Sequence, residues 1–268
     1  MGRPSATSAK EAATSTSPSA TAVVVGIDGS RPAVCAAVWA VPEAAARDLP
    51  LRLIYVIESP ATLHAMRRAA AAALADARAV VEATGERVDV EVEIVAGKAA
   101  ARLCEASRSA VMVCIGSGEK RARSDGFTAP ALVASAVCPV AVIRCPTAPV
   151  SVTSLDAIVA EVDNGRVLRC AFEEARLRAV PLRILSRTSA DDRAGLGRAQ
   201  DDRRVARWAR LYRDVEVVTV DVGVGAPRYC PDLKRPNQLL ISHNASRSDL
   251  SAAQSAGFSV ITVRHGGT

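Results

Sequence analysis

The chain carries the same succession of apolar runs twice, and this repeat limits the folds open to it. Residues 23–28 read VVVGID and residues 158–163 read IVAEVD, so each run ends on a carboxylate. Each half then continues with helix-patterned and apolar stretches in the same order. Both halves close on a β-branched run that ends in arginine, at 140–144 and 260–264. Self-similarity on this scale predicts two copies of one domain.

The length and composition agree with two globular domains. The 268 residues, of which 49% are hydrophobic, suffice for two ordinary cores. Residues 1–20 are rich in Ser, Thr and Ala and lack the apolar stretch of a secretory signal, so we interpret them as a disordered tail. No apolar run approaches the ~20 residues that span a bilayer. We therefore predict a cytoplasmic protein without a membrane partner. The repeat places the two domains at 21–147 and 151–268.

Strand-like and helix-like segments alternate along both halves, which predicts an α/β fold. Apolar runs of strand length are separated by amphipathic stretches and turn signals. Such alternation is typical of a doubly wound parallel sheet, here in two tandem copies. The predicted strands are 21–28, 51–57, 88–95, 111–115 and 140–144 in the first half, and 157–162, 182–186, 215–221, 238–242 and 259–263 in the second. Because the closing strands would otherwise be exposed apolar edges, we expect them to pair as an internal pseudo-dimer.

The positive charge does not indicate a nucleic-acid partner. The formal charge is +6, but the arginines are scattered among acidic residues, and aromatic residues make up only 3% of the chain. The basic helix predicted over 198–213 has an apolar face that includes Trp208 and Tyr212, which predicts a helix covering a sheet. Glu173 and Glu174, which lie among arginines, are interpreted as a solvated face.

The seven cysteines form no CxxC pair, and most lie within apolar runs. Cysteine in such a context behaves as a small hydrophobe. We therefore expect buried thiols in a reducing cytoplasm, and neither a metal site nor a catalytic cysteine.

The candidate ligand site lies at the carboxyl ends of the first-half strands. In open parallel sheets, ligands bind there, at the point where the strand order reverses. Asp28 follows the first strand, and Gly116, Ser117 and Gly118 follow the fourth. Glycines in such a loop can bring backbone N–H groups close to phosphate oxygens, although Gly116 could also simply end its strand. Nearby positive charges are Lys120, Arg121 and Arg123.

Three segments give the chain a resemblance to a known family. VVVGIDGS at 23–30, the loop from Gly116 and CPVAVIR at 138–144 resemble the universal stress protein family. The duplication resembles its tandem actinobacterial members. VDNG at 162–165 with FEEARLR at 172–178 is similar to the tandem proteins associated with hypoxia and dormancy responses. The resemblance implies Rossmann-like domains of the adenine nucleotide alpha hydrolase type, ATP binding in many members, and dimerisation through the last strand, so a protein partner or homodimer is expected.

The family's ATP site transfers onto part of the first half. Asp28 matches the acid that contacts the adenosine, and Val56 matches the backbone beside the base. Gly116 matches the first glycine of the family pattern G-x2-G-x9-G-[ST], with Ser117 beside it. The position of the second glycine holds Glu119, so Gly118 is the substitute.

The remainder of the family pattern is shortened. Gly126 matches the third glycine, but nine residues separate it from Gly116 where the pattern has twelve. Phe127 stands in place of the phosphate-binding Ser or Thr.

The second half departs further from the family pattern. Residues 237–256 contain no glycine, and Glu161 stands where Gly26 stands in the first half. We interpret Asp163 as a relic of the fold or as a carboxylate at a helix N-terminus. If either half binds nucleotide, we expect the first to do so.

These observations predict a regulatory protein and not an enzyme. The sequence shows no triad, metal cluster or paired carboxylates, so no residue is assigned as catalytic. The leading hypothesis is a stress-response protein whose first domain binds ATP or another adenine nucleotide. The alternative is a nucleotide-free interaction scaffold in which both pockets are degenerate.

Overall fold

The structure is a computed structural model that describes most of the chain. The described residues are 21–58, 63–118, 128–145, 154–162, 164–187, 196–222, 237–243 and 245–264. The tail at 1–20 and the candidate site residue Gly126 lie outside them. So do Phe127, Asp163 and the basic residues Lys120, Arg121 and Arg123.

The first half alternates strands and helices as predicted. Ser30 caps the first helix, where its Oγ accepts a hydrogen bond from the Ala33 N–H, and Pro32 lies in the first turn, where no intrahelical donor is needed. The elements are β1 (Ala22–Ile27), α1 (Arg31–Ala45), β2 (Leu51–Ile57), α2 (Leu63–Glu82), β3 (Val90–Ala96), α3 (Ala99–Ala106), a 3-10 turn (Ser107–Ser109), β4 (Ala110–Ser117), α4 (Thr128–Ser135) and β5 (Val140–Arg144).

The second half repeats this order. Asn164 caps its first helix, and Ala179 ends that helix in the left-handed conformation at φ 52°. The elements are β6 (Ala157–Glu161), α5 (Gly165–Arg178), β7 (Leu182–Arg187), α6 (Leu196–Leu211), β8 (Val217–Val222), β9 (Gln238–His243), α7 (Arg247–Ser255) and β10 (Phe258–Val263).

The two halves share one ten-stranded sheet with the order β3-β2-β1-β4-β5-β10-β9-β6-β7-β8. Pairing is parallel within each half and antiparallel between β5 and β10, where Val142 faces Val260. The Arg144 N–H also donates to Ser259 Oγ across this seam at 3.1 Å. The predicted α/β fold and the predicted pairing of the closing strands are both confirmed. The exact domain boundaries stay a prediction.

The hydrophobic core covers both faces of the sheet and runs through both halves. On one face, α1, α2 and α5 pack against strands of each half, with Trp39 and Phe172 completely buried. On the other face, α3, α4 and α7 cover the sheet. Trp208 of α6 and Tyr212, directly after that helix, pack against the first of these clusters, which confirms the prediction for the helix. None of the described helices has the length and apolar character needed to cross a bilayer.

The helix face around Glu174 and Arg178 is buried, so the interpretation as a solvated face was wrong for Glu174, whereas Glu173 does lie at the surface and pairs there with Arg169. The side chains of Arg178, Glu174 and Glu43 are 2%, 1% and 0% exposed. Arg178 donates hydrogen bonds to Glu43 on α1 and to Glu174 on its own helix. Its guanidinium also lies 4.1 Å from the centre of the Trp39 ring. We call these four residues the seam cluster, because they join α1 of the first half to α5 of the second.

The seam cluster makes stability depend on pH through Glu174. Burial, and next the charge of Glu43, raise the pKa of Glu174 well above its ordinary value, while Arg178 and Arg47 lower it. The folded protein therefore binds a proton that the unfolded chain releases. This contribution to stability is complete below the ordinary glutamate range and is lost as the pH rises through the raised pKa.

We predict that Glu174→Gln flattens this pH dependence, because the amide imitates the protonated carboxyl. Urea unfolding across the acid-to-neutral range should show the wild type losing stability relative to the variant as the pH rises. Glu173→Gln is the control, because Glu173 pairs at the surface with Arg169. Parallel pH profiles for the wild type and Glu174→Gln would contradict the assignment.

The structure also corrects the expectation that the cysteines stay reduced. Cys35 of α1 and Cys145, directly after β5, form a disulfide with their Cα atoms 5.8 Å apart. The two residues are 110 positions apart, so no local spacing in the sequence indicates that they pair. Cys104, Cys114, Cys138 and Cys170 are free thiols.

Candidate functional site

The candidate site lies where the strand order of the first half reverses. From β1 the chain continues through α1 to β2 on one side, while β4 lies on the other side of β1. Val25 pairs with Cys114 of β4, and Ile27 pairs with Tyr55 of β2. This register places the ends of the three strands at one level. Of the predicted site residues, it brings Asp28, Val56, Gly116, Ser117 and Gly118 to the same edge of the sheet.

Asp28 is held by the turn that starts α1. It is exposed, and its Oδ1 accepts a hydrogen bond from the Ser30 N–H at 2.8 Å. Gly29 between them adopts φ +80°, a conformation that side-chain-bearing residues rarely take. The turn therefore presents a carboxylate in a fixed place above β1. Such a group can accept hydrogen bonds from the hydroxyl or amine groups of a polar ligand.

Gly116 and Gly118 lie against the first turn of α1. A Cβ on Gly116 would overlap the carbonyl group of Pro32 and lie 2.6 Å from the backbone nitrogen of Ala33. A Cβ on Gly118 would lie 2.8 Å from Cγ of Pro32. The glycines thus permit close packing of α1 on β4. The sequence analysis left two interpretations of this loop, a phosphate-binding loop and a simple strand end, and both stay open. Packing alone accounts for the two glycines, and the backbone N–H groups of the loop remain able to bind a ligand.

We predict that Gly116→Ala lowers the free energy of unfolding by about 3 kcal/mol, because the added methyl group forces α1 away from β4. Gly165→Ala is the matched control, since a Cβ built there meets nothing within 4 Å apart from its chain neighbours and the backbone of its own helix. Urea unfolding followed by circular dichroism measures both. Equal stability of the two variants would show that α1 does not pack this closely on β4.

Sequence reasoning missed Glu58 and Lys98 at the neighbouring strand ends. Glu58 follows β2, and its Oε1 accepts a hydrogen bond from the Ala99 N–H at 3.2 Å. The Gly97 N–H donates to the carbonyl oxygen of Ile57 at 3.0 Å, which joins the loops after β2 and β3. Lys98 is the exposed N-cap residue of α3. The sequence feature that could have identified them is the one that identified Asp28, namely a charged residue at or just beyond the end of a predicted strand.

Three of the described free cysteines are poorly suited to act as nucleophiles. Burial raises the pKa of Cys138 to about 12 and raises the pKa values of Cys114 and Cys170 well above the ordinary thiol range. These thiols are protonated at neutral pH. Within the described ranges, no group of three or more His, Cys, Asp or Glu residues is arranged to hold a metal ion.

The second half differs from the first at the corresponding edge. Asn164 Oδ1 accepts hydrogen bonds from the Arg166 and Val167 N–H groups, so the start of α5 is satisfied by its own cap. Glu161, at the position of Gly26, is buried at 8% exposure.

A groove of about 490 Å³ lies between α5 and α6, with Arg204 and Trp208 among its lining residues. All of the residues that line it belong to the second half.

Comparison with known proteins decides the family. A model of the universal stress protein family matches residues 20–144. Universal stress protein Rv3134c of Mycobacterium tuberculosis is 47% identical over 259 residues, covering 91% of this chain and 96% of that protein. The chain belongs to the universal stress protein family.

Two further similarities extend this result. Universal stress protein Rv2028c of Mycobacterium tuberculosis is 43% identical over 218 residues, covering 75% of this chain and 77% of that protein. The crystal structure of a universal stress protein from Archaeoglobus fulgidus superimposes with a TM-score of 0.67 at 15% identity, covering 91% of this chain and 96% of that one. At this identity the likeness shows the fold alone. This universal stress protein therefore resembles both relatives and that structure over much more than a single domain.

Proposed function

We propose that the first half binds ATP or another adenine nucleotide, and that occupancy of the site alters binding to a protein partner during a stress response. Hypoxia or dormancy is the proposed signal, the cytoplasm is the proposed location, and no catalytic step is assigned. The observation that carries the proposal is the fixed Asp28 carboxylate at the reversal of strand order, level with Val56 and Ser117. In doubly wound folds this is the place where nucleotides bind.

The arrangement favours recognition of the adenosine over recognition of the phosphates. The Asp28 carboxylate can accept hydrogen bonds from ribose hydroxyls, which are neutral donors. At the start of α1, the Ser30 and Ala33 N–H groups already donate to Asp28 and Ser30. Contacts to the phosphates would then depend on residues 119–127, with Lys120, Arg121 and Arg123 as the positive charges.

We predict that ATP binding is weak and depends strongly on salt, because exposed charges are screened at high ionic strength while directed hydrogen bonds are screened less. Calorimetric titration of the full chain with ATP and with adenosine, at low and high salt, measures this. At high salt the affinity for ATP should fall close to that for adenosine. Tight ATP binding that does not change with salt concentration would show that the loop makes directed hydrogen bonds to the phosphates, and would contradict the prediction.

The second candidate function is a nucleotide-free interaction scaffold. The observation in its favour is that Gly116 and Gly118 pack against Pro32, so the glycines of the loop have a structural use without any ligand. Absence of binding by either ligand at both salt concentrations would favour the scaffold.

A further inference from the structure

We propose that Cys35 and Cys145 are a reversible thiol oxidation site that controls how firmly the edge around Asp28 is held. The pair is placed for bonding by the fold. Its Cα separation of 5.8 Å lies in the ordinary range for disulfides. Both residues are buried, at 7% exposure each.

The disulfide joins the two elements that bound the candidate site. Cys35 lies one turn along α1 from Pro32, the residue against which Gly116 and Gly118 pack. On the other side, the Cys145 N–H donates to the carbonyl oxygen of Ser117, at the end of β4, at 3.1 Å. A covalent bond here holds the start of α1 against the ends of β4 and β5. Reduction leaves only the non-covalent packing.

The second half provides an internal comparison. Cys170 occupies the same place after Asp163 that Cys35 occupies after Asp28. It lies on α5 and is a free thiol. After the closing arginine, Cys145 follows Arg144 in the first half, whereas His265 follows Arg264 in the second. The cross-link is therefore confined to the half proposed to bind nucleotide.

The chemistry needs a low-molecular-weight disulfide, such as oxidised glutathione, as the oxidant. Because both cysteines are buried, the reaction takes place when the chain opens locally and admits the oxidant. One cysteine then loses its proton, and its thiolate attacks the oxidant to form a mixed disulfide, which releases one thiolate. The second cysteine, also as thiolate, attacks the protein sulfur of that mixed disulfide and releases the second thiolate. Two electrons pass to the oxidant, and its two thiolates take up the two protons.

The reversibility of the disulfide follows from the proposed cytoplasmic location of the protein. In compartments kept reducing by thiols, disulfides are usually transient or redox-sensing. The cytoplasmic location and the link to the ligand both rest on the proposed function. The oxidation itself can be measured without any ligand.

Thiol counting on the full chain tests the oxidation. The protein is equilibrated with reduced or oxidised glutathione without denaturant, then denatured in acid, alkylated and analysed by mass spectrometry. We expect all seven cysteines to be alkylated after reduction, and a Cys35–Cys145 cross-linked peptide after oxidation. Cys170→Ser should leave the cross-link unchanged, and Cys145→Ser should abolish it. Two outcomes overturn the proposal: no cross-link after oxidation, or a cross-link that reduced glutathione and dithiothreitol leave intact in the folded protein.

Nucleotide titration of the two redox states tests the coupling. We expect the oxidised protein to bind ATP about fivefold more tightly, because the cross-link orders the site before binding. The Cys145→Ser variant should bind ATP with the same affinity after oxidation and after reduction. Equal ATP affinities of the oxidised and reduced wild type would overturn the coupling. If neither state binds nucleotide, the proposed function fails, while the thiol count still decides the oxidation.

Discussion

Arg178→Ala should lower the free energy of unfolding by about 3–5 kcal/mol, because it removes the guanidinium to which the buried carboxyl groups of Glu43 and Glu174 both bond and leaves Glu43 with Arg47 as its remaining cation. Both carboxyl groups are almost fully buried, so water cannot replace the guanidinium. The substitution also removes the cation that lies over the Trp39 ring. Urea unfolding of the full chain at neutral pH measures the loss.

The same helix offers a matched control for Arg178. Arg169 of α5 pairs with Glu173 at 2.7 Å, but its side chain is 66% exposed. Arg169→Ala should cost less than about 1 kcal/mol, as is usual for surface ion pairs. If the two variants lose similar stability, the seam cluster does not hold the halves together.

Under oxidising conditions, Cys145→Ser should lower the free energy of unfolding by about 4 kcal/mol, because it opens a covalent loop whose ends are 110 residues apart. A cross-link over so long a loop restricts the unfolded chain strongly. The loss should disappear when the wild type and the variant are compared in excess reductant, since both then unfold without a cross-link.

Cys170→Ser serves as the control for this loss. It removes a thiol from the equivalent place on α5 without removing a disulfide. Its effect should be the same with and without reductant. A Cys145→Ser effect that persists unchanged in reductant would mean that packing of the thiol, and not the cross-link, stabilises the first half.

The fold was predictable because its signals are local and occur twice. The predicted bounds of β2 and β5 agree with the structure, and the other described strands differ by a few residues at most. A doubly wound sheet buries its central strands on both faces, so these strands appear in the sequence as continuous apolar runs. The parallel arrangement then dictates that Asp28, Val56 and Ser117 share one edge.

The features that escaped prediction depend on contacts between distant segments. Glu174 and Arg178 follow a pattern that is usual for an exposed helix face, and only the meeting of α1 with α5 across the seam buries them. Cys35 and Cys145 become neighbours only because β5 ends beside α1. The contact of Gly116 with Pro32 likewise depends on how closely α1 approaches β4, which no spacing in the sequence reveals.

Calorimetric titration of adenosine into Asp28→Ala and Asp89→Ala variants of the full chain tests the central claim most directly. Asp89 is also exposed, but it precedes β3 at the opposite edge of the sheet, so its removal matches the change in charge without touching the site. We predict that Asp28→Ala weakens adenosine binding roughly tenfold or more, the expected loss for a hydrogen bond to a charged group, while Asp89→Ala binds like the wild type. Equal affinities of the two variants, or no binding of adenosine by the wild type, would contradict a nucleotide site at the edge around Asp28.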